Sequence, residues 1–211
     1  MKREIIPRRG VRPKQFRDRL CGGFSLIELL ATALILMILF TMYWGGNSGN
    51  RQRSRQALCR QNLQKIHIGL QIFANEHDGK FPNQPSARTS GEALDPLVPK
   101  YAADTSIFIC PGSDDSPLPG GESIAKRRIS YGYYMGRSAG KAEEALVTDR
   151  QVDTKSKTVG QPVFSSTGKG AGSNHKQFGG NILFCDGHAE ASPPASAFPL
   201  VLTEGVVLLN P

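Results

Sequence analysis

The sequence predicts an α+β protein: a long N-terminal α-helix followed by a small antiparallel β-sheet domain. Three observations predict it. Residues 24–44 form an apolar run whose one charge is Glu28. Residues 51–77 carry apolar side chains at helical spacing. Beyond residue 82, short apolar and aromatic segments alternate with turn signals, and one pair is joined by the hairpin dipeptide Asp186-Gly187.

The apolar run comes first in the argument. Its 21 residues, Phe24 to Trp44, contain no Gly or Pro. At about 1.5 Å rise per residue they reach about 30 Å, the thickness of a bilayer's hydrocarbon core. A carboxylate inside such a span costs about 2.5–3.5 kcal/mol, so Glu28 calls for a partner. Its place in the first turn also suits the helix dipole.

Upstream of the run the chain is basic. Lys2, Arg3, Arg8, Arg9, Arg12, Lys14, Arg17 and Arg19 stand against Glu4 and Asp18, a net +6 that leaves +2 of the chain's +8 for the remainder. By the positive-inside rule this leader keeps the N-terminus in the cytoplasm and puts the following domain outside. A nearly neutral domain has no phosphate-binding face, so no nucleic-acid partner is expected. The 211 residues leave room for one anchor and one modest domain.

Gly23-Phe24-Ser25-Leu26-Ile27-Glu28-Leu29-Leu30 resembles the class III signal of type IV pilins and type II secretion pseudopilins. The resemblance implies a pilin-like fold, cleavage after Gly23 by a prepilin peptidase, and methylation of the new N-terminal Phe24. The new α-amino group would lie near Glu28 of a neighbouring copy and set subunit register. The implied partners are the chain itself, other pilin-like subunits, the peptidase and an inner-membrane assembly platform. Competing readings are weaker. A secretory signal has a shorter apolar region, a lipoprotein signal at Leu20-Cys21-Gly22 would place that region before the cysteine, and an unprocessed anchor leaves the glycine-phenylalanine junction unexplained.

Four segments follow: a leader at 1–23, a membrane or filament-core helix at 24–44, a linker and amphipathic second half of the helix at 45–82, and an α+β domain at 83–211. The glycines of residues 45–50 predict a break or weakened helix. Cys59, Leu63, Ile66, Leu70 and Phe73 then form one apolar stripe, and Asp78-Gly79-Lys80-Phe81-Pro82 ends the helix. The early arginines, Arg51, Arg53 and Arg55, read as a solvated face. A short helical turn is expected from Glu92 toward Val98. Strands are expected at 106–111, 129–134, 144–149 and 181–185, with a return strand from His188 and one more strand or strand pair within 197–209. Residues 151–174 read as an exposed loop.

Two further phrases resemble a subset of the same superfamily: Cys59 through Pro82, and a C-terminal "histidine, nine residues, Asp-Gly" motif matched by His175, Asp186 and Gly187. Here ten residues separate His175 from Asp186.

Four cysteines are present. Cys21 leaves with the leader. Outside the cytoplasm disulfides persist, and Cys59–Cys110 is the expected pair, with Cys185 a small buried hydrophobe. Three free thiols, or a pair using Cys185, stand as alternatives. His175, Cys185, Asp186 and His188 are competent ligands, but their spacing lacks the two-pair pattern of structural zinc. Calcium held by Asp186 and loop oxygens is chemically easier; the major pseudopilins have such a loop, but no run of alternating Asp or Asn supports one here. The expectation is no cofactor, no metal and no catalytic residue, with Asp186 and His188 serving a structural hairpin.

The functional expectation is a structural subunit of a type IV pilus or type II secretion pseudopilus. It would be a single-pass inner-membrane protein with a periplasmic domain before assembly and part of a periplasmic or extracellular filament after it. A membrane-anchored binding module that never polymerises is the alternative. An anchored enzyme using His175, Asp186 and His188 is the third class.

Overall fold

The computed structural model describes residues 25–44 and 48–211. They fall into two compact units, residues 1–46 and residues 47–211. The leader, the cleavage junction Gly23-Phe24 and residues 45–47 lie outside the described residues.

In the first unit, helix α1 spans Leu26–Trp44. Leu, Ile, Met and Ala favour helix, and the two threonines do not break it because their hydroxyls bond back to the helix itself. Its 19 residues rise about 28 Å. Among the described residues no helix is long and apolar enough to cross a membrane.

The second unit is an α-helix laid on an antiparallel sheet. Helix α2 spans Ser48–Glu76. It begins earlier than the glycine-rich segment suggests: Ser48, Gly49 and Asn50 are already helical. Gly49 lies against Phe178, whose Cζ would be 3.7 Å from an added Cβ, so packing compensates a weak helix former. Cys59, Leu63, Ile66, Leu70 and Ala74 are fully buried, with Phe73 packed beside them. Arg51, Arg53, Arg55, Arg60 and Lys65 are exposed. The helix stops where Asp78 (φ 52°) and Gly79 (φ 75°) turn left-handed and the Gly79 N–H reaches back to the Ala74 carbonyl at 2.8 Å.

Helix α3, Ser90–Leu94, is capped by Thr89, whose hydroxyl accepts from the Glu92 N–H, and it runs into a 3₁₀ turn at Asp95–Leu97. The strands are β1 (Tyr131–Met135), β2 (Ala145–Asp149), β3 (Gly180–Phe184), β4 (Ala189–Ser192) and β5 (Val207–Leu209). They lie in the order β4-β3-β2-β1-β5, every neighbouring pair antiparallel.

The three central strands are buried at every position because both faces of the sheet are covered. Tyr131, Tyr133, Leu183 and Leu209 pack toward the α2 stripe. Tyr134, Ile182, Phe184 and Leu208 form a second apolar cluster with Val163, Phe164 and Leu200. This corrects the expectation of an exposed loop at 151–174. An apolar second sheet face must be covered, and Val163 and Phe164 cover it.

One strand expectation also fails. Residues 105–108 form a 3₁₀ turn instead of a strand, because Asp104 caps it by accepting from the Ser106 N–H at 3.0 Å. In the tail, Val207–Leu209 is the one further strand expected there, and residues 197–202 contribute a single bridge, Leu200 to Lys157.

Candidate functional site: an apolar helix and a buried histidine cluster

The surface of α1 is apolar all round. Leu26, Ile27, Leu29, Leu30, Leu34, Ile35, Leu36, Met37, Ile38, Leu39 and Met42 are between 51% and 77% exposed within this unit. Such a helix needs an apolar surrounding. Four internal hydrogen bonds satisfy polar groups along it. The Ser25 N–H donates to Glu28 Oε2 at 3.0 Å, and the Leu29 N–H donates to the Ser25 carbonyl at 3.1 Å. The hydroxyls of Thr32 and Thr41 donate to the carbonyls of Leu29 (3.0 Å) and Ile38 (2.8 Å). Glu28 therefore closes the first turn as a capping carboxylate where the dipole favours it.

In the second unit, polar chemistry gathers at the end of β2. Asp149 is fully buried. Its Oδ2 accepts from the Asn181 N–H (2.7 Å) and Asn181 Nδ2 (3.0 Å), and its Oδ1 accepts from Asn174 Nδ2 (2.9 Å). The fully buried His175 places Nε2 3.3 Å from Asp149 Oδ2 and 3.3 Å from Cys110 Sγ. Cys110 is joined to Cys59 of α2 by a disulfide. The Gly112 N–H donates to Cys110 Sγ at 3.3 Å. No larger residue fits there, since a Cβ on Gly112 would lie 2.5 Å from His175 Nδ1. Asn181 Nδ2 also donates to the Gln56 carbonyl, and Gln56 Nε2 returns a bond to the Gly180 carbonyl, both at 3.0 Å. One network thus joins α2, β2, β3 and the segment after residue 108.

Asp186 and Gly187 turn at the other end of β3. Gly187 has φ 93°, and a Cβ there would come within 2.6 Å of His67 Cε1. The Cys185 carbonyl lies 3.3 Å from His67 Nε2 and 3.4 Å from Gln71 Nε2, so the turn is docked on α2. Asp186 Oδ1 meets His188 Nδ1 at 2.5 Å. Burial pushes the Asp186 carboxyl up, but hydrogen bonds from the His188 amide and ring outweigh it and hold the carboxyl below its ordinary value. Cys185 is a buried free thiol whose pKa burial pushes up to about 12.

The structure therefore does not bring together His175, Cys185, Asp186 and His188. His175 precedes β3 and Asp186–His188 follows it, and five residues of strand hold them on the order of 15 Å apart. What sequence reasoning missed is the set around His175: Asp149, Asn174, Asn181, Gln56 and Gly112. A lone Asp closing an apolar strand, with Asn174 beside His175, was the available signal.

An apolar N-terminal helix with one capping glutamate, and a small antiparallel sheet on a second helix, make up a pilin-like α+β fold. Residues 18–44 match the family described as the prokaryotic N-terminal methylation motif. The ComG operon protein 3 homolog of Bacillus licheniformis is 26% identical over 69 residues, which cover 33% of this chain and 71% of that protein. No solved structure matches.

Proposed function

We propose that this chain is a structural subunit of a type IV pilus or type II secretion pseudopilus. It is anchored in the cytoplasmic membrane by its N-terminal helix, cut after Gly23 by a prepilin peptidase, and assembled with copies of itself and other pilin-like subunits on a membrane platform. The observation that carries this reading is the surface of α1: apolar residues exposed on every side, one carboxylate in the first turn, and the hydroxyls of Thr32 and Thr41 bonded back to the helix. A soluble domain has no use for such a surface. A membrane and a filament core both do.

In this account Glu28 has two partners in turn. Before assembly it caps its own first turn. After cleavage the new α-amino group on Phe24 of a neighbouring copy neutralises it inside the apolar bundle. Substituting Glu28→Leu keeps the helix and its apolar surface. The expected outcome, read by quantifying membrane and sheared-filament fractions, is an unchanged amount of anchored protein and at least a ~tenfold fall in filament, since a lost 1.4 kcal/mol already costs that factor. Unchanged filament yield would overturn the role given to Glu28, and a parent chain absent from the filament fraction would point to the non-polymerising anchored module.

A further inference from the structure

We infer that Cys59, Cys110, Asp149 and His175 form a metal site that opens on reduction, of the class that binds zinc. The four residues are all buried, and their donor atoms lie within 4.8 Å of one another. Two thiolates, one imidazole nitrogen and one carboxylate oxygen are a donor set suited to tetrahedral zinc.

The distances already approach that geometry. With zinc bonds of about 2.3 Å to sulfur and about 2.0–2.1 Å to nitrogen or oxygen, the edges of the tetrahedron are about 3.4 Å between nitrogen and oxygen and about 3.6 Å between sulfur and nitrogen. Asp149 Oδ2 and His175 Nε2 are 3.3 Å apart, and His175 Nε2 and Cys110 Sγ are 3.3 Å apart. The bonded sulfur pair must also open, to about 3.8 Å, and breaking that bond releases it.

The surroundings are those of a ligand set. Asn174 and Asn181 fix the Asp149 carboxylate from three N–H directions. The Gly112 N–H points at Cys110 Sγ, where it would stabilise a thiolate. His175 Nδ1 has no hydrogen-bond partner among the described residues. When Nε2 turns from Asp149 to a metal, Nδ1 is the place for the ring proton.

The chemistry balances with a dithiol reductant. It delivers two electrons and two protons to the Cys59–Cys110 bond, yields two thiols, and becomes a disulfide itself. Zinc then binds both sulfurs as thiolates and releases those two protons to solvent. The metal would hold the same segments that the disulfide network holds: α2, the segment after residue 108, the end of β2 and the start of β3. The reduced domain would keep its fold in this way.

The test uses the full chain in detergent, with and without a phosphine reductant, which takes oxygen from water and leaves two thiols without chelating metal. Zinc alone is the probe, measured by metal analysis after dialysis. The expected result is no zinc on the oxidised chain, one equivalent on the reduced chain, and release on reoxidation. Cobalt in place of zinc should show thiolate charge transfer and the strong visible bands of a tetrahedral site. His175→Ala and Asp149→Asn should each weaken binding about 10- to 100-fold, and Cys185→Ala should bind as the parent does. The proposal is overturned if the reduced chain takes up no zinc, or if the oxidised chain takes up as much. It is equally overturned if His175→Ala binds undiminished, or if bound cobalt is octahedral. The cobalt spectrum needs no variant, so a substitution that prevents folding leaves it to decide.

Discussion

Gly187 answers to two constraints at once. Its φ of 93° is costly for any residue with a side chain, and the space where a Cβ would stand is taken by the His67 ring at 2.6 Å. Gly187→Ala should destabilise the second unit by about 1–3 kcal/mol, read as a shift in the urea midpoint. Asp186→Ala removes only exposed hydrogen bonds to His188 and should cost less than 1 kcal/mol. Equal effects would contradict the reading of the turn as docked on α2. Cys185 gives a second test at this scale. A thiol held near pKa 12 by burial is almost wholly protonated at pH 8, and the thiolate is the reactive form. Iodoacetamide should leave native Cys185 unmodified at pH 8 and label it in urea, as mass spectrometry would show. Rapid labelling of the native thiol would mean that the face between α2 and β3 opens readily.

At the scale of elements, α2 has two faces with different tasks. The buried stripe from Cys59 to Ala74 holds the sheet. On the other side Leu58, Ile68 and Ile72 are 46% to 60% exposed. In a filament this side is available to a neighbouring subunit. Ile68→Gln with Ile72→Gln should move the urea midpoint by no more than about 0.5 kcal/mol while reducing filament yield. A large loss of stability instead would assign those isoleucines to the fold.

Legibility in the sequence followed how local the controlling physics is. The α2 stripe, its Gly79 stop and the Asp186-Gly187 turn are set by spacing and backbone preference within a few residues, and they read correctly. The 3₁₀ turn at 105–108 was misread because a capping Asp104 outweighed an apolar run that looks like a strand. Burial of Val163 and Phe164 was invisible locally, since only the closed sheet shows that its second face needs cover. The same limit hid Asp149, Asn174 and Asn181, which reach His175 only after β2 and β3 pair.

For the whole molecule, the division of labour is between an apolar helix with exposed side chains and a domain with apolar cores of its own. The domain is closed by the Cys59–Cys110 disulfide, the Asp149 network and two apolar clusters. In the proposed account the helix is covered by lipid or by other copies. In the same proposed account the junction that converts one state to the other is Gly23-Phe24, directly before Ser25 in the sequence. The measurement that bears most directly on the account is therefore the intact mass and N-terminal sequence of the protein isolated from its own cell membranes. The account predicts a chain beginning at Phe24 and carrying one added methyl group. A chain that begins at Met1, or one cut beyond Trp44, would contradict it.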